Sequence, residues 1–164
     1  MRSTLKAVVV VFCLYELSGG GSLQAAEGSR VARDLQVLYT FEAGQGDLIQ
    51  DRSEVGEPLD LNIKNPSEIK WQEGALTVKG STRIQSAEPA SKLIKALRRA
   101  NACTMEVWLK PAHDRQKGPA RIVSLSRDPN LRNVTLGQEG RRYDVRLRTT
   151  STSGNGMPSM TSPD

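Results

Sequence analysis

Short stretches of β-favouring residues, each closed by a turn signal, recur along the chain and most constrain its fold. Leu59-Asp60-Leu61-Asn62-Ile63 alternates apolar and polar residues, the period of a half-buried strand, and Asn65-Pro66 ends it. Ile69 and Trp71 precede the two-residue turn Glu73-Gly74, and Leu76 and Val78 follow it, which predicts a hairpin. Leu35 to Phe41 runs into Gly44, Gly46 and Asp47. Thr104 to Lys110 stops at Pro111, and Ala120 to Ser126 stops before Asp128-Pro129. Val134 and Leu136 alternate up to Gly137. Past Gln138-Glu139-Gly140, Tyr143, Val145, Leu147 and Thr149 share one face, while Asp144, Arg146, Arg148 and Thr150 share the other. Strand signals at this spacing predict an all-β, antiparallel sandwich. One segment differs. Between Pro89 and Ala102, Leu93, Ile94, Leu97 and Ala100 fall at helical spacing, predicting one short amphipathic helix.

The two ends read differently from the middle. Arg2 and Lys6 precede the apolar run Ala7 to Leu17, and small residues lead to Ala25-Ala26. This is the pattern of a secretory signal peptide over 1–26, and it predicts a secreted, periplasmic or cell-surface protein. A strand built from the same stretch, or an uncleaved anchor, is the alternative. The run is too short for a membrane-spanning helix, so no span is expected after cleavage. Residues 27–34 read as a linker, 35–150 as the β domain, and 151–164 as a loop or disordered tail rich in hydroxyls and breakers.

Composition narrows the chemistry. His113 is the one histidine, which excludes sites that need two imidazoles from this chain. Cys13 and Cys103 are too few for a four-cysteine zinc site or a disulfide scaffold. The net charge of +5 falls by one without Arg2, Lys6 and Glu16, and acids are interleaved with bases. A mixed solvated surface is expected, and no nucleic-acid partner. Aromatic residues make up 4% of the chain. Trp71 and Trp108 could stack on sugar rings, but both lie among aliphatic residues and read as core. Cys103 reads as a buried structural thiol.

Leu38-Tyr39-Thr40-Phe41-Glu42, then Gly44, Gly46-Asp47 and Asp51-Arg52-Ser53, resembles the opening of LamG-like jelly-roll domains. These belong to the concanavalin A-like lectin/glucanase superfamily. Thr104-Met105-Glu106-Val107-Trp108-Leu109-Lys110-Pro111 resembles a later strand of those domains, and Ile122 to Ser126 and Asn133 to Gly137 are similar to the next two. The resemblance covers residues 35–150 and looks like that of secreted planctomycete-type bacterial proteins. It implies a jelly-roll sandwich and a role in carbohydrate or protein binding within a larger secreted protein. Members of the family continue with further strands, so the chain is expected to be a fragment.

The residues themselves argue against catalysis. Glycoside hydrolysis needs two carboxyls flanking one bond, and the glucanase branch clusters its acids on one strand. Here Glu106 and Asp144 each stand alone. A glucanase-like enzyme with its catalytic strands missing, and a purely structural spacer, are the alternatives to a binding module. His113 lies in a loop and no Gly-x-Ser-x-Gly is present. Asp144, Arg146 and Arg148 form the candidate ligand-binding face, because arginine forks suit carboxylates and hydroxyl pairs; a solvated face with ion pairs is the plainer explanation. Expected partners are a glycan or an extracellular protein. Asp128, Asn130 and Asn133 offer oxygen donors suited to calcium, although turn capping explains the same residues and is preferred. No other cofactor is expected.

Overall fold

The computed structural model describes residues 3–6, 34–72, 74–118 and 120–163. It is mostly strands in antiparallel sheets with one short helix, as the recurring strand signals predict. The chain divides into two compact units, Met1–Ala112 and His113–Asp164.

In the first unit, β1 (Ser3–Lys6), β5 (Ala75–Val78) and β4 (Ile69–Gln72) form a three-stranded sheet with β5 in the middle. The β4–β5 hairpin forms as predicted, with Gln72 opposite Ala75 and Gly74 at φ +59° in the turn. Glycine bears that conformation without the Cβ penalty of other residues. β1 falls within the stretch read as a leader, and it pairs with β5 from Ser3↔Val78 to Lys6↔Ala75. The apolar run and most of the linker lie outside the described residues. A second sheet joins β2 (Leu48–Ile49), β3 (Leu61–Ile63) and β6 (Ile84–Ser86). Helix α1 (Ser91–Ala100) buries Leu93, carries Arg98 and Arg99 in its last turn, and ends at Asn101 in the left-handed conformation. Basic side chains at a helix C-terminus face the negative end of its dipole.

Residues 35–41 and 104–110 were both expected to be strands. The first is extended and supplies the buried Val37, Leu38, Tyr39 and Phe41, yet carries no ladder among the described residues. The second has isolated bridges at Thr104 and Lys110 and is otherwise unassigned. β propensity marks a segment that fits a pleated surface; pairing with a partner strand is a separate, non-local event. Trp108, expected in the core, is 62% exposed. Cys103 is likewise a free, exposed cysteine rather than a buried one, although partial desolvation still pushes its thiol pKa up.

The core of this unit is tied to one carboxylate. Asp51 has a side chain with no exposed surface, and it accepts backbone N–H bonds from Leu38 (3.1 Å), Ser53 (3.0 Å) and Leu59 (3.0 Å). Lys92, from α1, donates to the same carboxylate and to the Val55 carbonyl (2.8 Å). The Asp51 N–H donates to Asp60 (2.8 Å), so Asp60 turns inward where strict alternation would turn it out. The Tyr39 hydroxyl donates to the Leu59 carbonyl. Burial, then the charges of Asp51 and Asp60, push the Tyr39 phenol far above its ordinary pKa, which keeps it a neutral donor.

The second unit is a single sheet in the order β10 (Met160–Thr161), β9 (Arg142–Leu147), β8 (Arg132–Glu139), β7 (Ala120–Ser126). Its buried residues are Val134, Thr135, Gly137, Asp144 and Gly156. In the segment read as a loop or disordered tail, residues 151–159 are turns and loop and the chain then folds back. Met160 and Thr161 pair with Val145 and Asp144, and Ser162 bonds Tyr143 through both its N–H (3.0 Å) and its hydroxyl (2.9 Å). Hydroxyls close the preceding turns, with Thr152 bonding the Leu147 carbonyl and Ser153 accepting from Met157. Side-chain-to-backbone bonds of this kind order a segment that has no aliphatic run.

Four measurements test this packing. Asp51→Ala leaves three donors and an ammonium without their acceptor and lowers stability by about 3–5 kcal/mol in chemical denaturation. Burial alone raises the Asp51 pKa, but Lys92 and the N–H groups of Leu59, Ser53 and Leu38 outweigh it and hold the carboxyl below its ordinary value. Its contribution is therefore complete above the ordinary aspartate range and is lost as pH falls through the depressed pKa. Melts recorded on acidification should show this loss in the native chain and lack it in Asp51→Asn. Gly156, at φ +71°, would bring a Cβ to 2.9 Å from the Leu147 nitrogen. Gly156→Ala should thus cost more than about 1 kcal/mol by denaturant titration. Removal of residues 1–26 takes β1 away, and hydrogen exchange at the Ala75–Val78 amides should accelerate relative to the full chain.

Candidate functional site

An open concavity in the first unit is built from a glycine turn beside a strand. Phe41 is buried at φ +55°, a conformation that costs a bulky residue energy and that its packing must offset. The chain then turns through Gly44 (φ +73°) and Gly46 (φ +88°) before β2 begins. On the far side Trp71 stands on β4, on the same face as the buried Ile69 and itself half-buried. The Trp71 indole N–H donates to the Gly46 carbonyl at 3.0 Å. This bond fixes the ring against the turn and leaves its carbon surface for contact.

The result is an open depression of about 570 Å³ lined by Gly44, Gln45, Gly46, Asp47, Pro66 and Trp71. Asp47 and Gln45 are exposed, and neither side chain bonds or pairs with another residue. A flat apolar ring with a free carboxylate and a free amide at its edge matches the mixed lining of a small-ligand site. It offers no general acid paired with a base. Asp51 is committed to Lys92, and Asp60 accepts the Asp51 N–H.

The candidate face on β9 is arranged differently from an open binding surface. Arg146 Nε donates to Asp144 Oδ1 at 2.9 Å, and the two side chains are 13% and 7% exposed. Arg148 is exposed, with its backbone N–H on the Asn133 carbonyl. Asp144 and Arg146 are thus brought together as an internal pair, and Arg148 stands outside it.

The residues considered for calcium form a capped turn. Asp128 Oδ1 accepts the N–H groups of Asn130 (2.8 Å) and Leu131 (2.9 Å), and Oδ2 accepts from Arg127 at 3.2 Å. The bonds from Asn130 and Leu131 hold the Asp128 carboxyl below its ordinary pKa. Asn133 lies on β8, with its carbonyl occupied by Arg148. Among the described residues, no three His, Cys, Asp or Glu side chains are grouped to hold a metal. His113 accepts the Arg115 N–H through Nδ1, a local loop contact. Trp108 donates to Glu106 at 2.6 Å, which ties up that carboxylate.

Sequence reasoning found Trp71 and the Gly44–Asp47 turn separately but did not join them. The missing signal was spatial, because the Trp71–Gly46 bond spans 25 residues. Among the described residues, no helix is long and apolar enough to cross a membrane. No family model, curated protein or solved structure matches the chain.

Proposed function

We propose that the chain is a non-catalytic, exported carbohydrate-binding module of the LamG-like, concanavalin A-like jelly-roll type, which holds a sugar ring over Trp71. One observation carries this reading: an indole pinned by its own N–H, with the unpaired Asp47 carboxylate and Gln45 amide beside it in an open depression. Sugars present an apolar C–H face and a hydroxyl rim. The indole answers the face, and the carboxylate and amide answer the rim. The antiparallel all-β character agrees with a jelly roll. The pattern of residues 1–26 supports export.

A glycan array read with the full chain tests the proposal, followed by titration of the best neutral sugar and a reducing-end release assay. Binding without turnover is expected. Trp71→Ala should weaken it by at least about tenfold, or about 1.4 kcal/mol. Asp47→Ala should weaken it as well, and Arg148→Ala should leave it unchanged. Retained affinity in a folded Trp71→Ala variant would remove the depression as the site, and hydrolysis of the bound glycan would replace a binding role with an enzymatic one.

A further inference from the structure

One face of the second unit's sheet gathers more positive charge than the Asp144 carboxylate can answer. Across three strands, Arg121 stands opposite Gly137 and Gly137 opposite Asp144, while Ser124, Thr135 and Arg146 make the adjoining row. Residues opposed in this way share one face of a sheet. Gly137 contributes no side chain between Arg121 and Asp144. Arg132 joins the group: its guanidinium is partly desolvated and lies within the field of Arg121, Arg146 and Asp144. Three guanidiniums thus share the neighbourhood of one carboxylate, and one oxygen of that carboxylate is already bonded to Arg146.

Two buried polar atoms point the same way. Arg132 bonds the Pro129 carbonyl through Nε (2.9 Å), but its Nη1 is buried and has no hydrogen-bond partner. Asn155 Oδ1 is the second such atom, an acceptor. The Asn155 turn is attached to the same group. The Arg132 N–H bonds the Gly154 carbonyl (3.1 Å), and Gly156 packs so close that a Cβ there would lie 3.0 Å from Arg146 Cβ. A buried donor left unpaired is costly, and an unanswered cluster of like charges is costly again. An oxyanion relieves both costs, since arginine forks match carboxylate and sulfate geometry. A hydroxyl on the same ligand would give Asn155 Oδ1 its donor.

We propose that Arg132 and Arg146, which adjoin the Gly154–Gly156 turn, form with the exposed Arg121 a binding site for a small oxyanion, a carboxylate or sulfate, carried on a hydroxylated ligand. This site is separate from the Trp71 depression and uses charge where that one uses an aromatic ring.

The test titrates the full chain with sodium glucuronate, sodium sulfate and glucose at constant ionic strength, read by calorimetry and by the arginine side-chain resonances. Glucuronate should shift the Arg132 signal, and glucose, whether or not it occupies the Trp71 depression, should leave that signal unmoved. Sulfate binding as tightly as glucuronate means that the site reads the oxyanion alone, and tighter glucuronate binding means that the hydroxyl is read too; each supports the site. Arg132→Gln should weaken glucuronate at least about tenfold, whereas Arg141→Gln, an exposed arginine of the same unit, should change it less than about twofold. Trp71→Ala should leave it intact, which separates this site from the proposed sugar site. If Arg132→Gln does not fold, the native titration decides through the Arg132 resonance. No response to either anion, or equal affinity in a folded Arg132→Gln, overturns the proposal.

Discussion

The carboxylate of Asp51 is the point on which the first unit depends. Three backbone N–H groups from a span of 22 residues converge on it: Leu38 from the buried extended segment, Ser53 from the following turn, and Leu59 from the approach to β3. None of these groups has a ladder bond to fall back on, and a buried N–H without a partner is costly. The Lys92 ammonium then neutralises the buried charge and, because it sits on α1, fixes the helix to the loops it covers. A buried ion pair of this kind gains little over an apolar equivalent. Its value here is geometric, since one side chain does for irregular backbone what a neighbouring strand does for regular backbone.

The sugar-site geometry depends on that anchoring at one remove. The segment held through Leu38 ends at Phe41, whose left-handed backbone swings the chain into the Gly44–Asp47 turn. The far end of that turn is held in turn by β2 on β3 and by the Ile63 N–H on the Asp47 carbonyl (2.7 Å). Trp71 arrives from the other sheet, on a hairpin whose register is set by its own two-residue turn. The depression is therefore made by two hydrogen-bonded pieces joined by one indole bond. This arrangement suits a ligand contact that needs little rearrangement.

Local patterns were legible in the sequence, and non-local pairings were not. The β4–β5 hairpin, β7 and α1 all carry their information within a few residues, as a turn, a breaker or a 3.6-residue period. Residues 104–110 have the composition of a strand, but no local signal says whether a partner is present. The hydroxyl-rich residues after Leu147 look structureless by composition and are ordered by their own side-chain caps. Asp144 and Arg146 were legible as a shared face; that they consume each other depends on packing from the Gly156 turn, which no spacing on β9 reveals. Arg132 was missed because a bulge region of the β7–β8 ladder separates it from the alternation that marked the other two.

The buried positions of the second unit are unusual in kind. Thr135 and Asp144 are buried there, and among the described residues of 113–164 Val134 is the one apolar side chain buried to the same degree. The first unit buries an ordinary set of aliphatic and aromatic side chains. Newly hydrated apolar surface raises the heat capacity of an unfolding protein, and newly hydrated polar surface lowers it. The stability curve of residues 113–164 is therefore expected to be the shallower of the two. That of the first unit is more strongly arched and loses strength toward the cold, as apolar burial does.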